Sequence, residues 1–212
     1  MKTTRRNLPW PRATAFLMFT GMTLGVISAQ ASTFPFSTGN GDTTCGDADA
    51  NWIVQGSGIN GGVAEQATVL SPSCQNWWGG WVNDNSLSSW IGTTTTNPTG
   101  PTPYTFTLDF FLASPTSDIT GNWSVDDDGT LNVNGNLIDT EPNFINGVAF
   151  DIPVADLVAG TNSITVVMVS DNNYDDGVRV QFDQTLASAP EPAAWMLLCG
   201  GVAFAGARRR YL

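Results

Sequence analysis

The sequence contains no histidine. That removes the side chain that most often serves as general base and metal ligand at neutral pH, and with it every Ser-His-Asp arrangement. Bases are scarce where a folded domain would lie. They are Lys2, Arg5, Arg6, Arg12, Arg179, Arg208, Arg209 and Arg210. Only Arg179 falls between Ser32 and Ala189, so that stretch has no lysine to act as an amine nucleophile. The same stretch holds 18 of the 19 acids, for a net charge of −17. Such a surface repels phosphate backbones and argues against nucleic acid as a partner. It suits hard cations or a hydrated polysaccharide matrix. Only two of its acids are glutamates, Glu65 and Glu141, and no pair of carboxylates stands out for glycoside hydrolysis. No repeat of fixed period and no sustained helical period is present.

The two ends read as targeting segments and are set aside from the fold. At the N-terminus, Arg5, Arg6 and Arg12 form a basic region, and residues 13–27 are mostly apolar. Ala29-Gln30-Ala31 then provides a small-x-small cleavage site. The expectation is a signal peptide over residues 1–31 and a mature chain from Ser32; an uncleaved anchor is the alternative. The intervening residues 32–189 form one domain, long enough to bury a core.

At the C-terminus, Pro190-Glu191-Pro192 precedes the apolar run 193–207, which is followed by Arg208-Arg209-Arg210. The 15-residue run spans about 22 Å as a helix, against about 30 Å for a bilayer core. It can engage a membrane as a transmembrane helix, but it is short for a permanent anchor. The arginines stay cytoplasmic by the positive-inside rule, which places the domain outside.

Over residues 190–212 this order resembles the PEP-CTERM sorting signal: triplet, short apolar helix and terminal arginines. The resemblance implies export in a Gram-negative bacterium that makes exopolysaccharide. It also implies an exosortase-type membrane enzyme as processing partner, with the inner membrane as a transient one. Sorting residues would be Pro190, Glu191, Pro192, Arg208, Arg209 and Arg210. The protein would be membrane-anchored before processing, then in the cell envelope or extracellular. A plain single-span tail is the alternative reading.

The domain reads as all-β. Its first third is rich in Gly, Ser, Thr and Asn, and the stretch 93–101 has linker composition. Beyond it, Tyr104, Phe106, Leu108 and Phe110 alternate with polar residues, as in a half-buried strand. Ile119, Gly121, Trp123 and Val125 give another. Leu131 and Val133 lead into Asn134-Gly135, a strong hairpin turn. Val148, Phe150 and Ile152 follow. Residues 164–169 form a β-branched run expected to be buried, and Val178, Val180 and Phe182 form the last strand. The expectation is an antiparallel β-sandwich or jelly roll.

Residues 123–135 are similar to the strand–turn–strand of galactose-binding-like jelly rolls. Leu157-Val158-Ala159-Gly160-Thr161-Asn162 resembles a Leu-x-x-Gly-x-Asn pattern of sugar-binding domains attached to glycoside hydrolases. Asp49-Ala50-Asn51-Trp52 and Ser89-Trp90-Ile91 resemble the opening strands of domains that precede PEP-CTERM tails. These resemblances imply a jelly roll and leave the ligand open.

Candidate sites follow. Cys45 and Cys74 are the only cysteines in the domain and would meet an oxidising compartment. A disulfide between them closes a loop of about 30 residues and is worth about 3–4 kcal/mol. Acidic turns at 126–129 and 171–177 offer oxygen ligands for calcium, the one candidate cofactor, through Asp126, Asp128, Asp171, Asn173 and Asp175. The second departs from an EF-hand because its glycine comes one position late and Phe182 stands where a glutamate is needed. Solvated turns are the alternative for both. Trp77, Trp78 and Trp81, beside Asn83, Asp84 and Asn85, suit a sugar-stacking platform, whereas Trp52, Trp90 and Trp123 are assigned to the core. Arg179 either pairs with a carboxylate or binds a carboxylate-bearing sugar.

The sequence favours a non-enzymatic surface or matrix protein that binds exopolysaccharide. A structural, calcium-dependent adhesion module is the second reading and a secreted hydrolase the third.

Overall fold

A computed structural model describes residues 34, 36–41, 44–56, 60–70, 80–93, 103–140, 142–170 and 176–183. The segments at 1–33 and 184–212 lie outside them. So do the expected signal peptide, the sorting residues Pro190 to Arg210 and the apolar run 193–207. No helix among the described residues is long and apolar enough to cross a membrane.

Ten strands account for the architecture: β1 (Ala48–Gly56), β2 (Glu65–Leu70), β3 (Trp90–Gly92), β4 (Pro103–Leu112), β5 (Ile119–Asp126), β6 (Asp128–Val133), β7 (Asn136–Asp139), β8 (Val148–Ile152), β9 (Gly160–Val169) and β10 (Gly177–Phe182). All pairings are antiparallel, and the strands join into one sheet in the order β7-β6-β9-β4-β1-β2-β3-β10-β5-β8. The two end strands approach each other, so the sheet curls into a nearly closed barrel. The all-β antiparallel expectation holds, but hydrogen bonding is continuous from one edge to the other rather than divided between two separate sheets. Closure of this kind leaves only short edges exposed.

Alternation decides which face is buried. In β4, Tyr104, Phe106, Leu108, Phe110 and Leu112 point inward while Thr105, Thr107 and Asp109 point out. In β9, Asn162, Ile164, Val166 and Met168 are buried, and Val169 is exposed. The β-branched run at 164–169 is therefore buried on one face only, because both strand neighbours leave its second face open. Trp52 and Trp123 lie in the central core with these chains. Trp90 is equally buried but sits on the other side of the sheet: its neighbour Ile91 faces the core opposite Val178.

The Asn134-Gly135 turn forms as expected. Both residues have left-handed φ, 49° and 84°, as the two-residue type I′ hairpin requires, and glycine meets that demand without strain. β1 and β3 contain the residues that resemble opening strands. β2 and β7 have no clear period in the sequence.

β3 is short and matches β10 at one residue pair, Val178 and Ile91. Beyond it the 36–41 segment takes over. The Val180 N–H donates to Thr38 Oγ1 at 3.0 Å, the Phe182 N–H donates to Ser37 Oγ at 3.1 Å, and Thr38 Oγ1 donates to the Ser89 carbonyl at 2.7 Å. These bonds satisfy backbone groups that a longer β3 would otherwise have paired.

Candidate functional site

The outer face of β10 departs from simple alternation. Arg179 points away from the core, yet it is only 5% exposed. The cover is the segment 80–89, which lies across β3, β10 and β5. Trp81 anchors it. Its ring stacks on Trp90 with centroids 4.1 Å apart, and its Nε1 donates to Asp126 Oδ2 at 2.5 Å. Gly177 makes room for the two indoles: a Cβ there would come within 2.9 Å of Trp81 and 3.1 Å of Trp90. Further along, the Val82 N–H donates to the Phe144 carbonyl at 2.6 Å.

Polar groups gather under this cover. Gln181 Oε1 accepts from Arg179 Nη2 at 3.1 Å, from Asn85 Nδ2 at 2.7 Å and from Ser88 Oγ at 3.1 Å. Ser124 sits directly across from Arg179 on β5 and is 1% exposed. Asp84 Oδ1 accepts from the Trp90 N–H at 2.9 Å. Among the described residues, Arg179 Nε, Ser124 Oγ and Asp84 Oδ2 of this group are buried and find no hydrogen-bond partner.

The electrostatics follow from burial. Burial pushes the Asp84 carboxyl above its ordinary range, against the lowering pull of the Trp90 N–H and the Arg179 charge. Burial also lowers Arg179, opposed by the charge of Asp84. The two groups sense each other yet form no ion pair. Chemically the group offers a guanidinium donor, a hydroxyl and a carboxyl oxygen beneath one covering segment.

Other expected residues fall elsewhere. Trp81 is half-buried and engaged by Trp90 and Asp126; Trp77 and Trp78 lie outside the described residues. Asp126 is held by Trp81, and Asp128 is exposed. Asp171, Asn173 and Asp175 lie outside the described residues, and no group of three metal-ligating side chains gathers among those described. Cys45 is half-buried; Cys74, its expected disulfide partner, lies outside the described residues.

A cavity of about 190 Å³ beside Asp49 is a weaker site. Asp49 Oδ2 accepts from the Gly39 N–H at 2.6 Å, and Oδ1 accepts from the N–H groups of Asn51 and Trp52 at 2.8 and 3.1 Å. Its oxygens are thus committed to the backbone. Sequence reasoning singled out Arg179 through its charge alone and missed Asp84, Ser124 and Gln181 as its neighbours. Only the register of β5 against β10 places Ser124, and only the path of the 80–89 segment places Asp84.

No family model matches the sequence, and no curated protein matches it. Ten chains of solved structures do. One is a β-glucosidase from Kluyveromyces marxianus in complex with glucose, at 12% identity and a TM-score of 0.40 over 74% of this chain. This chain spans 19% of that enzyme chain. Another is a family 35 carbohydrate binding module from an environmental isolate, at 19% identity and a TM-score of 0.36 over 74% of this chain and 100% of the module. At these TM-scores the likeness carries nothing about ligand or activity.

Proposed function

We propose that this chain is an exported, non-catalytic module of the cell envelope or extracellular matrix that binds hydroxyl groups of extracellular polysaccharide. The observation that carries the binding half is the pairing of Arg179 Nε with Asp84 Oδ2. One is a buried donor and the other a buried acceptor; both lack a partner, and they are coupled by charge without touching. A hydroxyl accepts from an N–H and donates to a carboxylate at the same time, so a sugar hydroxyl admitted beneath the 80–89 segment would answer both groups. Leaving such groups unpaired costs about 1–3 kcal/mol each, which a fitting ligand recovers.

The export half rests on the N-terminal signal pattern and the PEP-CTERM-like tail. In this reading Cys45 pairs with Cys74, and an exosortase-type enzyme removes the tail near Pro190.

The test is a glycan array probed with the mature protein recovered from an exporting host, alongside Ser124→Ala and Arg179→Met. Retention of a polysaccharide by the wild type, falling at least tenfold in Arg179→Met, is expected. Binding of no glycan, including the producer's own, removes the binding half. For the tail, expression with and without an exosortase should change the mass of the mature C-terminus; no change removes that half.

A further inference from the structure

The outer face of the other half of the sheet carries an unusual row. Five strand pairings place six outward residues side by side across six neighbouring strands: Leu137, Asn132, Thr165, Thr107, Ile53 and Gln66. The next row, two residues along, runs Thr130, Val167, Thr105 and Gln55. The row between them faces inward, with Leu131, Val166, Phe106 and Val54 buried, so the orientation of both outer rows is fixed.

Neither outer row contains a charge. The acids of this face, Asp109 and Asp128, stand beyond the two rows at opposite ends. In a domain of net −17 this is an exception that needs a reason. The face is also open: Leu137 is 59% and Ile53 42% exposed, and Asn132, Thr107 and Thr165 are partly exposed.

We infer that a linear, uncharged polysaccharide chain lies along this row, across the strands. Three properties fit that occupant. Neighbouring strands are about 4.8 Å apart, close to the length of one pyranose unit in an extended β-linked chain, so six strands present about 24 Å of matching repeat. Threonine offers a methyl and a hydroxyl together, and a pyranose offers an apolar C–H face and hydroxyls at its rim. Third, the acids flanking the rows repel an acidic polymer, whereas a neutral one meets only the uncharged strip. A second copy of this chain would bring two domains of −17 face to face, and their mutual repulsion opposes that occupant. This inference rests on the polysaccharide-binding reading and adds a site and a ligand class to it.

Affinity electrophoresis of the mature protein through gels carrying a neutral β-linked glucan or alginate tests it. The wild type should be retarded by the glucan and not by alginate, with retardation unchanged between low and high salt, since no ion pairs are involved. Thr107→Glu should cut retention at least tenfold. Thr107→Val with Thr165→Val, which keeps shape and removes two hydroxyls, should cut it about fivefold with an unchanged melting temperature. If both variants bind glucan as the wild type does, the strip is not the site, and polysaccharide binding itself stands. Retention by alginate alone overturns the neutral-ligand assignment in the same way. Retention by neither polymer, or by any other glycan, overturns the strip and the binding reading together.

Discussion

The side-chain amide of Asn134 donates to the side-chain oxygen of Asn162 at 2.9 Å, tying the β6–β7 turn to the start of β9. Asn162 is fully buried, and both ends of its amide are engaged. Its Oδ1 also accepts from the Val158 N–H at 2.8 Å, and its Nδ2 donates to the carbonyls of Val158 and Gly160 at 2.8 and 3.2 Å. Asn134 completes the clasp, accepting from the Ser163 N–H at 3.0 Å and donating to the Asp156 carbonyl at 2.8 Å. The asparagine of the Leu-x-x-Gly-x-Asn pattern is thus a loop clamp with no capacity left for a ligand.

Asn162→Ala should therefore cost stability rather than binding. It strands the partly buried Val158 N–H and two carbonyls, worth about 3 kcal/mol together, or roughly 6–12 °C in melting temperature for a domain of this size. Thermal melting checks this, with glycan retention measured well below the transition. A drop under about 2 °C would show that the clamp is redundant.

The strands legible in the sequence were those with one clean face. β4 and β5 alternate because one side meets the core and the other meets solvent or a thin polar layer. β2 and β7 were not legible, because Glu65, Gln66, Asn136 and Leu137 follow no alternating pattern and take their place only from neighbouring strands. The site around Arg179 failed for a different reason. Its members come from residues 84, 124, 179 and 181, and their meeting depends on a covering segment with no period of its own. A lone base in an acidic domain was visible; what surrounds it was not.

Two glycines separate two kinds of constraint. A Cβ at Gly121 would run into the Gln181 carbonyl oxygen and approach Phe150 Cζ at 2.6 Å, so Gly121→Ala must push β5 away from β10 or displace the ring. A cost of about 3 kcal/mol is expected. Gly135 has open space around it but sits at a φ of 84°, so Gly135→Ala meets only backbone strain of about 1–2 kcal/mol. Chemical denaturation of both variants should rank them in that order; the reverse would mean that the strands separate easily at Gly121.

The proposed disulfide between Cys45 and Cys74 has a direct test. If the bond is to Cys74, Cys45→Ser and Cys74→Ser should each cost about 3–4 kcal/mol, and the double variant no more than either single one. Reductant should lower the wild-type melting temperature to the level of the variants. A Cys74→Ser protein as stable as the wild type would send the bond to another partner.

The pH response of the Arg179 site has a definite sign. Asp84 has a folded-state pKa above its ordinary value, chiefly through burial, so the folded protein holds that proton more tightly than the unfolded chain does. The stabilisation this gives is complete below the ordinary carboxyl range and is lost as pH rises through the raised value, where a charge must be kept in a buried place. Arg179 stays charged across this window. Asp84→Asn keeps an oxygen for the Trp90 N–H and removes the titration. The melting temperature of Asp84→Asn relative to wild type should thus rise with pH from the acid side of that window to neutrality, then level off. Other carboxylates titrate in both proteins and cancel in the difference. A difference that stays flat from pH 3 to pH 8 would mean that water reaches Asp84 freely, and that the space beside Arg179 is too well solvated to hold its groups unpaired.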